Sequence, residues 1–164
     1  MKKSTHYLAI GLTAAGLSLA AMSAALAFGS DDSSSSSSSS SSKSAGSESY
    51  TAAMTKINAG DYASAIPLLQ QSLASNPKNP DALNELGFSY RKLGHLSDSL
   101  DAYRKALAIE PNHIDANEYL GELYLQMKRP DLAKQQLTLL DKLCPSGCEQ
   151  RTELQEKISG YQGS

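Results

Sequence analysis

The sequence predicts an all-α chain of three helix-turn-helix units stacked in one register and closed by a C-terminal capping helix. Three observations carry this. Chemically similar residues recur every 34 positions after residue 49, apolar residues within each period fall at helical spacing, and a proline stands at the same point of every period. Composition agrees: 40% of the 164 residues are apolar and 20% charged, with no tryptophan and two cysteines, which excludes both disorder throughout and a disulfide-dense miniprotein. The formal charge is −2, and it becomes more acidic once Lys2 and Lys3 are set aside as part of a leader. No Lys/Arg cluster supplies the electrostatic footprint that nucleic acid or an anionic membrane surface requires.

Met1-Lys2-Lys3 is basic, Leu8 to Met22 is an uncharged Leu/Ala/Gly run, and Ala25-Leu26-Ala27 is a small-x-small triplet of the kind a signal peptidase reads. Residues 1–27 therefore read as a secretory signal, with the periplasm as the expected compartment. The competing reading keeps residues 7–27 as an anchor facing the periplasm, because the uncharged stretch approaches the roughly 20 residues that span a bilayer. Thr13, Ser18 and Ser23 weaken that alternative. Residues 28–48 read as a disordered linker, since positions 33–42 are ten consecutive serines with no apolar surface to offset the entropy of ordering. As a coil, Gly29 to Ser47 would span about 25 Å.

The repeat domain is placed at 49–161, with copies at about 49–79, 80–113 and 114–147 and a capping helix over 148–160. Its columns are Pro77, Pro111 and Pro145; Ala53, Gly87 and Gly121; Leu69, Tyr103 and Leu137; Ala65, Ser99 and Ala133. In the middle copy Leu83, Leu86 and Tyr90 line one helix, Gly94 breaks the chain, and Leu100, Tyr103 and Leu107 line a second. Small residues at Gly87 and Ser99 let the two axes approach, and Pro111 ends the second helix. A single hairpin cannot shield its own apolar stripe, so the copies must stack. Pro67, inside the second helix of the first copy, predicts a kink. In the capping segment only Leu154, Ile158 and Tyr161 form an apolar line among polar residues, as the end of a stack requires.

Leu86-Gly87, Tyr90, Gly94, Leu96, Tyr103, Ala106 and Pro111 in one unit, and Leu120-Gly121, Tyr124, Ala133, Leu137, Leu140 and Pro145 in the next, resemble the tetratricopeptide repeat. The first copy resembles it mainly through Gly60-Asp61-Tyr62, Ala65 and Pro77; Ser49 and Ala52-Ala53 replace its leading aromatic and Leu-Gly pair, which predicts a frayed first helix. Lys128 stands where the inter-helix glycine is expected in the last copy. The resemblance implies a short right-handed superhelix whose concave face is lined by the first helix of each copy, and a role as a protein-protein interaction module.

By that register the concave, partner-binding candidates are Tyr50, Met54 and Ile57; Asp81, Asn84, Glu85, Phe88 and Arg91; and Asp115, Glu118, Tyr119 and Glu122. The surface so drawn is acidic with aromatic footholds. Family members that grip a chaperone's C-terminal carboxylates place Lys, Asn and Arg at set points of this face. Here those points carry Tyr50, Met54, Glu85, Asp115 and Tyr119, so the expected partner is a protein or peptide segment of basic or mixed basic and apolar character. The alternative is that the carboxylates form an ordinary solvated helix face.

Cys144 and Cys148 enclose Pro145-Ser146-Gly147. In an exported chain the pair reads as a structural disulfide, with a redox pair or copper-binding dithiolate and free thiols as alternatives. Two sulfurs do not complete a zinc site. His95 and His113 fall at turns, where a solvent-exposed or capping role is expected. No catalytic constellation, phosphate-cradling loop or metal-spaced histidine pair is found, so no enzyme activity, cofactor or metal is expected. The expected function is an exported adaptor. A redox or metal-handling accessory using Cys144 and Cys148, and a structural subunit of an envelope assembly, are the alternatives.

Overall fold

The computed structural model describes residues 37–162, with side-chain surroundings from residue 45 onward. The signal (1–27), the alternative anchor (7–27) and the first part of the linker (28–36) lie outside the described residues. Seven helices and no strand are present among the described residues: α1 (Ser37–Asn58), α2 (Tyr62–Ser75), α3 (Pro80–Lys92), α4 (Leu96–Ile109), α5 (Ile114–Gln126), α6 (Pro130–Leu143) and α7 (Glu149–Ser159). None of these is long and apolar enough to cross a membrane.

The helices pair as hairpins α1/α2, α3/α4 and α5/α6, each hairpin lies on the next, and α7 lies on α5 and α6. Leu86, Tyr103 and Leu120, which the periodicity assigns to the core, are 9%, 0% and 4% exposed. Local chemistry starts several of the helices. Asp61 and Asn79 accept hydrogen bonds from the Ser64 and Ala82 amides at the starts of α2 and α3 (3.2 and 3.3 Å), and Pro130 occupies the first turn of α6. Each second helix stops two residues before Pro77, Pro111 or Pro145.

The turn inside each hairpin is the same object made from different residues. The amides of Asp61, His95 and Arg129 donate to Lys56, Tyr90 and Tyr124 carbonyls at 2.9, 2.9 and 2.8 Å. The residue before each donor is left-handed: Gly60 at φ 75°, Gly94 at φ 80° and Lys128 at φ 59°. Lys128 thus adopts the glycine conformation at its steric cost.

Two expectations are corrected. Residues 37–48, read from sequence as disordered linker, belong to α1. Gly46 and Ser49 are buried there, and a Cβ on Gly46 would meet Ser75 Cβ at 2.7 Å, so small side chains let the upstream turns of α1 lie on the end of α2. The expected fraying of the first helix is also absent, for α1 is continuous to Asn58; α2 runs through Pro67 from Tyr62 to Ser75. Ala53, Ala65 and Leu69, all 0% exposed, hold these two helices together.

Candidate functional site

The inner face of the stack is built by α1, α3 and α5. The residues assigned to it from sequence divide into three groups. Asp81 is exposed, and Tyr50, Met54, Glu85, Phe88, Asp115 and Tyr119 are half-buried and line the face. Asn84, Arg91, Glu118 and Glu122 are buried, at 1%, 5%, 2% and 9% exposure, and Ile57 belongs to the core. These five are corrections, because they do not present a free surface to a partner.

The physical reasons are specific. Asn84 turns sideways, its Nδ2 donating to Glu85 Oε1 at 3.3 Å. The Arg91 guanidinium lies 5.4 Å from the Phe88 ring centre and 5.5 Å from that of Tyr119 and pairs with Glu122, so aromatic faces and a carboxylate enclose it. Glu118 and Glu122 are covered by α7. Lys157 Nζ of that helix pairs with Glu122, lies 3.5 Å from Glu118 Oε1 and 3.3 Å from Glu153 Oε2, and so sits among the carboxylates of Glu118, Glu122 and Glu153. The acidic groove expected from sequence therefore loses Glu118 and Glu122 of its third copy to intramolecular partners, Lys157 and, for Glu122, also Arg91.

What stays open is the upstream half. Tyr62, Phe88 and Tyr119 form an aromatic run, with ring centres 5.7 Å apart at 74° and 5.1 Å apart at 41°. One turn before Phe88 on α3 lies Glu85, between Asp81 on its own helix and Asp115 on α5. Burial, together with the charges of Asp115 and Asp81, pushes the Glu85 carboxyl up to about 7. Tyr50 and Tyr119 are pushed up to about 12, first by burial and then by neighbouring carboxylates, Glu85 among them. Among the described residues no basic side chain pairs with Glu85 or Asp115. Asp81 accepts from His113 Nε2 at 3.1 Å, and Asp115 accepts from Gln150 Nε2 at 2.8 Å. The result is a polarised strip: carboxyls where α3 and α5 begin, aromatic rings in the middle, and Lys92 over Phe88 (5.1 Å) near the end of α3.

His113 is 8% exposed, and its Nδ1 caps the Ala116 amide at 3.3 Å, so the capping role holds and the solvent-exposed one does not. His95 is exposed and faces Asp98 at 3.7 Å. Cys144 and Cys148 are joined, with Cα atoms 5.7 Å apart. Sequence reasoning missed Tyr62, Lys92, Gln150 and Lys157. Tyr62 follows the first inter-helix turn and could have been found as a foothold. The partners of Gln150 and Lys157 lie 35 to 39 residues away, beyond any local signal.

Comparison with known proteins bears on the architecture. Residues 50–112 and 91–143 each match a tetratricopeptide repeat family model. Among curated proteins, the cellulose synthase operon protein C of Escherichia coli is 36% identical over 83 residues, 51% of this chain and 7% of that protein. The ETO1-like protein 2 of Arabidopsis thaliana is 28% identical over 116 residues, 67% of this chain and 12% of that protein. The chain thus spans about a tenth of the length of these relatives. Among solved structures, the first TPR of Spaghetti (RPAP3) bound to the HSP90 peptide SRMEEVD superposes with a TM-score of 0.66 at 18% identity, covering 74% of this chain and 96% of that one. The Yersinia enterocolitica type III secretion chaperone SycD, in complex with a peptide of the translocator YopD, gives 0.61 at 17% identity and covers 70% and 87%. With its 34-residue hairpins, its inner face of first helices and these matches together spanning residues 50–143, the chain belongs to the tetratricopeptide repeat family.

Proposed function

We propose that this protein is a non-catalytic binding module whose inner face takes an extended segment carrying a basic residue followed closely by an apolar one. The observation that carries this is the set of three carboxyls at Asp81, Glu85 and Asp115, in which Glu85 is pushed up to about 7 and neither Glu85 nor Asp115 has an intramolecular cation among the described residues. A lysine or arginine arriving there would supply the missing counter-charge against the half-buried rings of Tyr50 and Tyr119. One helical turn further on, Phe88 and Tyr119 offer an apolar shelf about two extended residues away. Peptides seen in the neighbouring structures support a segment-binding role. SRMEEVD, the peptide of one neighbour, ends in acidic residues, whereas the charge of this face favours the opposite kind of ligand. Export to the periplasm belongs to the same proposal; the leader-like residues 1–27 and the joined Cys144 and Cys148 support it.

The test is fluorescence anisotropy with two short labelled peptides, one alternating lysine with leucine and one alternating glutamate with leucine. The lysine peptide is expected to bind more tightly, and neutralising Asp81, Glu85 and Asp115 together (to Asn, Gln and Asn) is expected to weaken it by about tenfold or more. Equal affinity of the lysine peptide for the native and neutralised proteins would remove the proposal.

A further inference from the structure

A second surface lies beneath α7 and meets the strip around Glu85 at Asp115, which accepts from Gln150 of α7. Its centre is a hollow over Gly121, where a Cβ would meet the two Leu154 methyls at 2.5 and 2.8 Å and Gln136 Cβ at 3.3 Å. Glu118 and Glu122 form its acidic edge, and Gln136 Oε1 is buried there without a hydrogen-bond partner. The helix that fills this seat is a weak occupant. It has 11 residues, a length at which an isolated helix is marginal in water. Only Leu154 on it is fully buried, its N-cap Cys148 makes no side-chain capping bond, and Ile158 and Tyr161 are only partly covered.

We propose that α7 is an internal occupant of a docking surface on α5 and α6 that takes an amphipathic helix with a lysine at the edge of its apolar face, and that the Cys144–Cys148 bond keeps this occupant in place. The chemistry of the external ligand is shown by the internal one: an apolar residue for the Gly121 hollow, a lysine three positions on for Glu118 and Glu122, and a second apolar residue next to it, as in Leu154, Lys157 and Ile158. A donor able to reach Gln136 Oε1 would complete what α7 leaves unpaired.

The tie sits where it controls the helix. Cys144 caps the end of α6 and Cys148 the start of α7, with the exposed turn Pro145-Ser146-Gly147 between them. Cys144 is 8% exposed and Cys148 is only half-buried, so Cys148 Sγ is the sulfur more open to a thiolate of a dithiol reductant. The S–S bond breaks as the new S–S bond forms, Cys144 leaves as a thiolate and takes up a proton. The second thiolate of the reductant then displaces Cys148, and the reductant leaves as its own disulfide after passing two electrons to the protein. With the turn freed, the population of molecules with α7 lifted rises by about tenfold.

The experiment uses the full chain with and without dithiothreitol, a labelled synthetic peptide of residues 149–161 as probe, and hydrogen exchange of α7. Reduction is expected to speed α7 exchange about tenfold while α5 and α6 stay protected, and to tighten the probe by a similar factor. Lys157→Ala in the chain, which loosens α7 without altering the seat, should act in the same direction under oxidising conditions, and Glu118→Gln with Glu122→Gln should weaken the probe. Glu85→Gln should leave all of this unchanged, which separates this surface from the strip proposed above. Unchanged α7 exchange on reduction overturns the proposal, and so does faster exchange with no gain in probe affinity.

Discussion

The second and third copies share a backbone and a 34-residue register, yet their inner faces are finished in opposite ways. In the second copy Gly87 receives the ring of Tyr103 from its own hairpin, with ring carbons 2.7 and 2.8 Å from where a Cβ would stand, and Glu85 is left among like charges. In the third copy Leu137 replaces Tyr103, the hollow over Gly121 goes to Leu154 of α7, and the carboxylates receive Lys157 from the same helix. Glu85 and Glu118 are both pushed up to about 7 by burial, but Lys157 pulls Glu118 back down, whereas only the Asn84 amide does so for Glu85. One face is completed within the chain and the other is not. The incomplete one is where an external cation has most to add.

The largest expected effect comes from filling the two hollows. Tyr103 is 0% exposed and cannot move without parting α3 from α4, so Gly87→Val is expected to cost about 2–3 kcal/mol of global stability. Gly121→Val presses on Leu154, which belongs to a short terminal helix able to lift away. Its cost is expected to stay near or below about 1 kcal/mol globally and to show as lost protection of α7 alone. Denaturant midpoints together with hydrogen exchange read both effects. Equal global losses would mean that α7 is as firmly built in as α4, and the contrast between the copies would disappear.

A smaller effect, of unusual sign, is expected at Glu85. Its carboxyl titrates near 7 when folded against an ordinary value of 4.5, so folding favours the neutral form and stability falls as the pH rises from about 4.5 through 7. Glu85→Gln cannot ionise. The variant should match the native protein near pH 4 and exceed it by about 1–2 kcal/mol at pH 8, after allowance for solvent screening. Over the same range the native protein should bind the lysine-leucine peptide better as the pH rises and Glu85 ionises, and the variant should not. Thermal melts and anisotropy from pH 5 to 8 check both, and a native melting curve no steeper in pH than that of the variant would refute the assignment. Glu118→Gln offers the contrast: burial also holds that carboxyl near 7, so the sign is the same, but the change removes a partner of Lys157 as well, and its gain at high pH is expected to be smaller than that of Glu85→Gln.

These differences also mark how far the sequence is legible. The 34-residue register placed Leu86, Tyr103 and Leu120 in the core and the hairpins in order, because burial of an apolar stripe is a local pattern repeated. The inner face was legible as a set of positions on α3 and α5, but not as an exposed surface. Arg91 looked like an open cation and is sandwiched by Phe88 and Tyr119, while Glu118 and Glu122 looked like an open acidic edge and are matched by Lys157 from 35 to 39 residues further on. The charge pattern along one helix says which groups need a partner, and only the fold says which have found one. The serine-rich start of α1 failed for the complementary reason. Composition argues against order there, and the small side chains that make it look unstructured are those that fit at Gly46 and Ser49 against α2.

The smallest effect tests whether the third copy departs from the second in its backbone as well as in its guest. Lys128 holds φ 59° in the turn where Gly60 and Gly94 hold 75° and 80°, and the hydrogen bond that closes the turn, Arg129 amide to Tyr124 carbonyl, is as short as its counterparts. The same turn is therefore made at the steric cost a side chain carries in this region. Lys128→Gly relieves that cost but gives the unfolded chain more freedom, so the net gain should be modest, about 0.5–1 kcal/mol. The reverse change, Gly94→Lys, should cost the second copy a similar amount. A denaturation series on the two variants checks the pair. If Lys128→Gly destabilises instead, the lysine contributes something in the turn that outweighs its strain, and the third copy is specialised there as well as beneath α7.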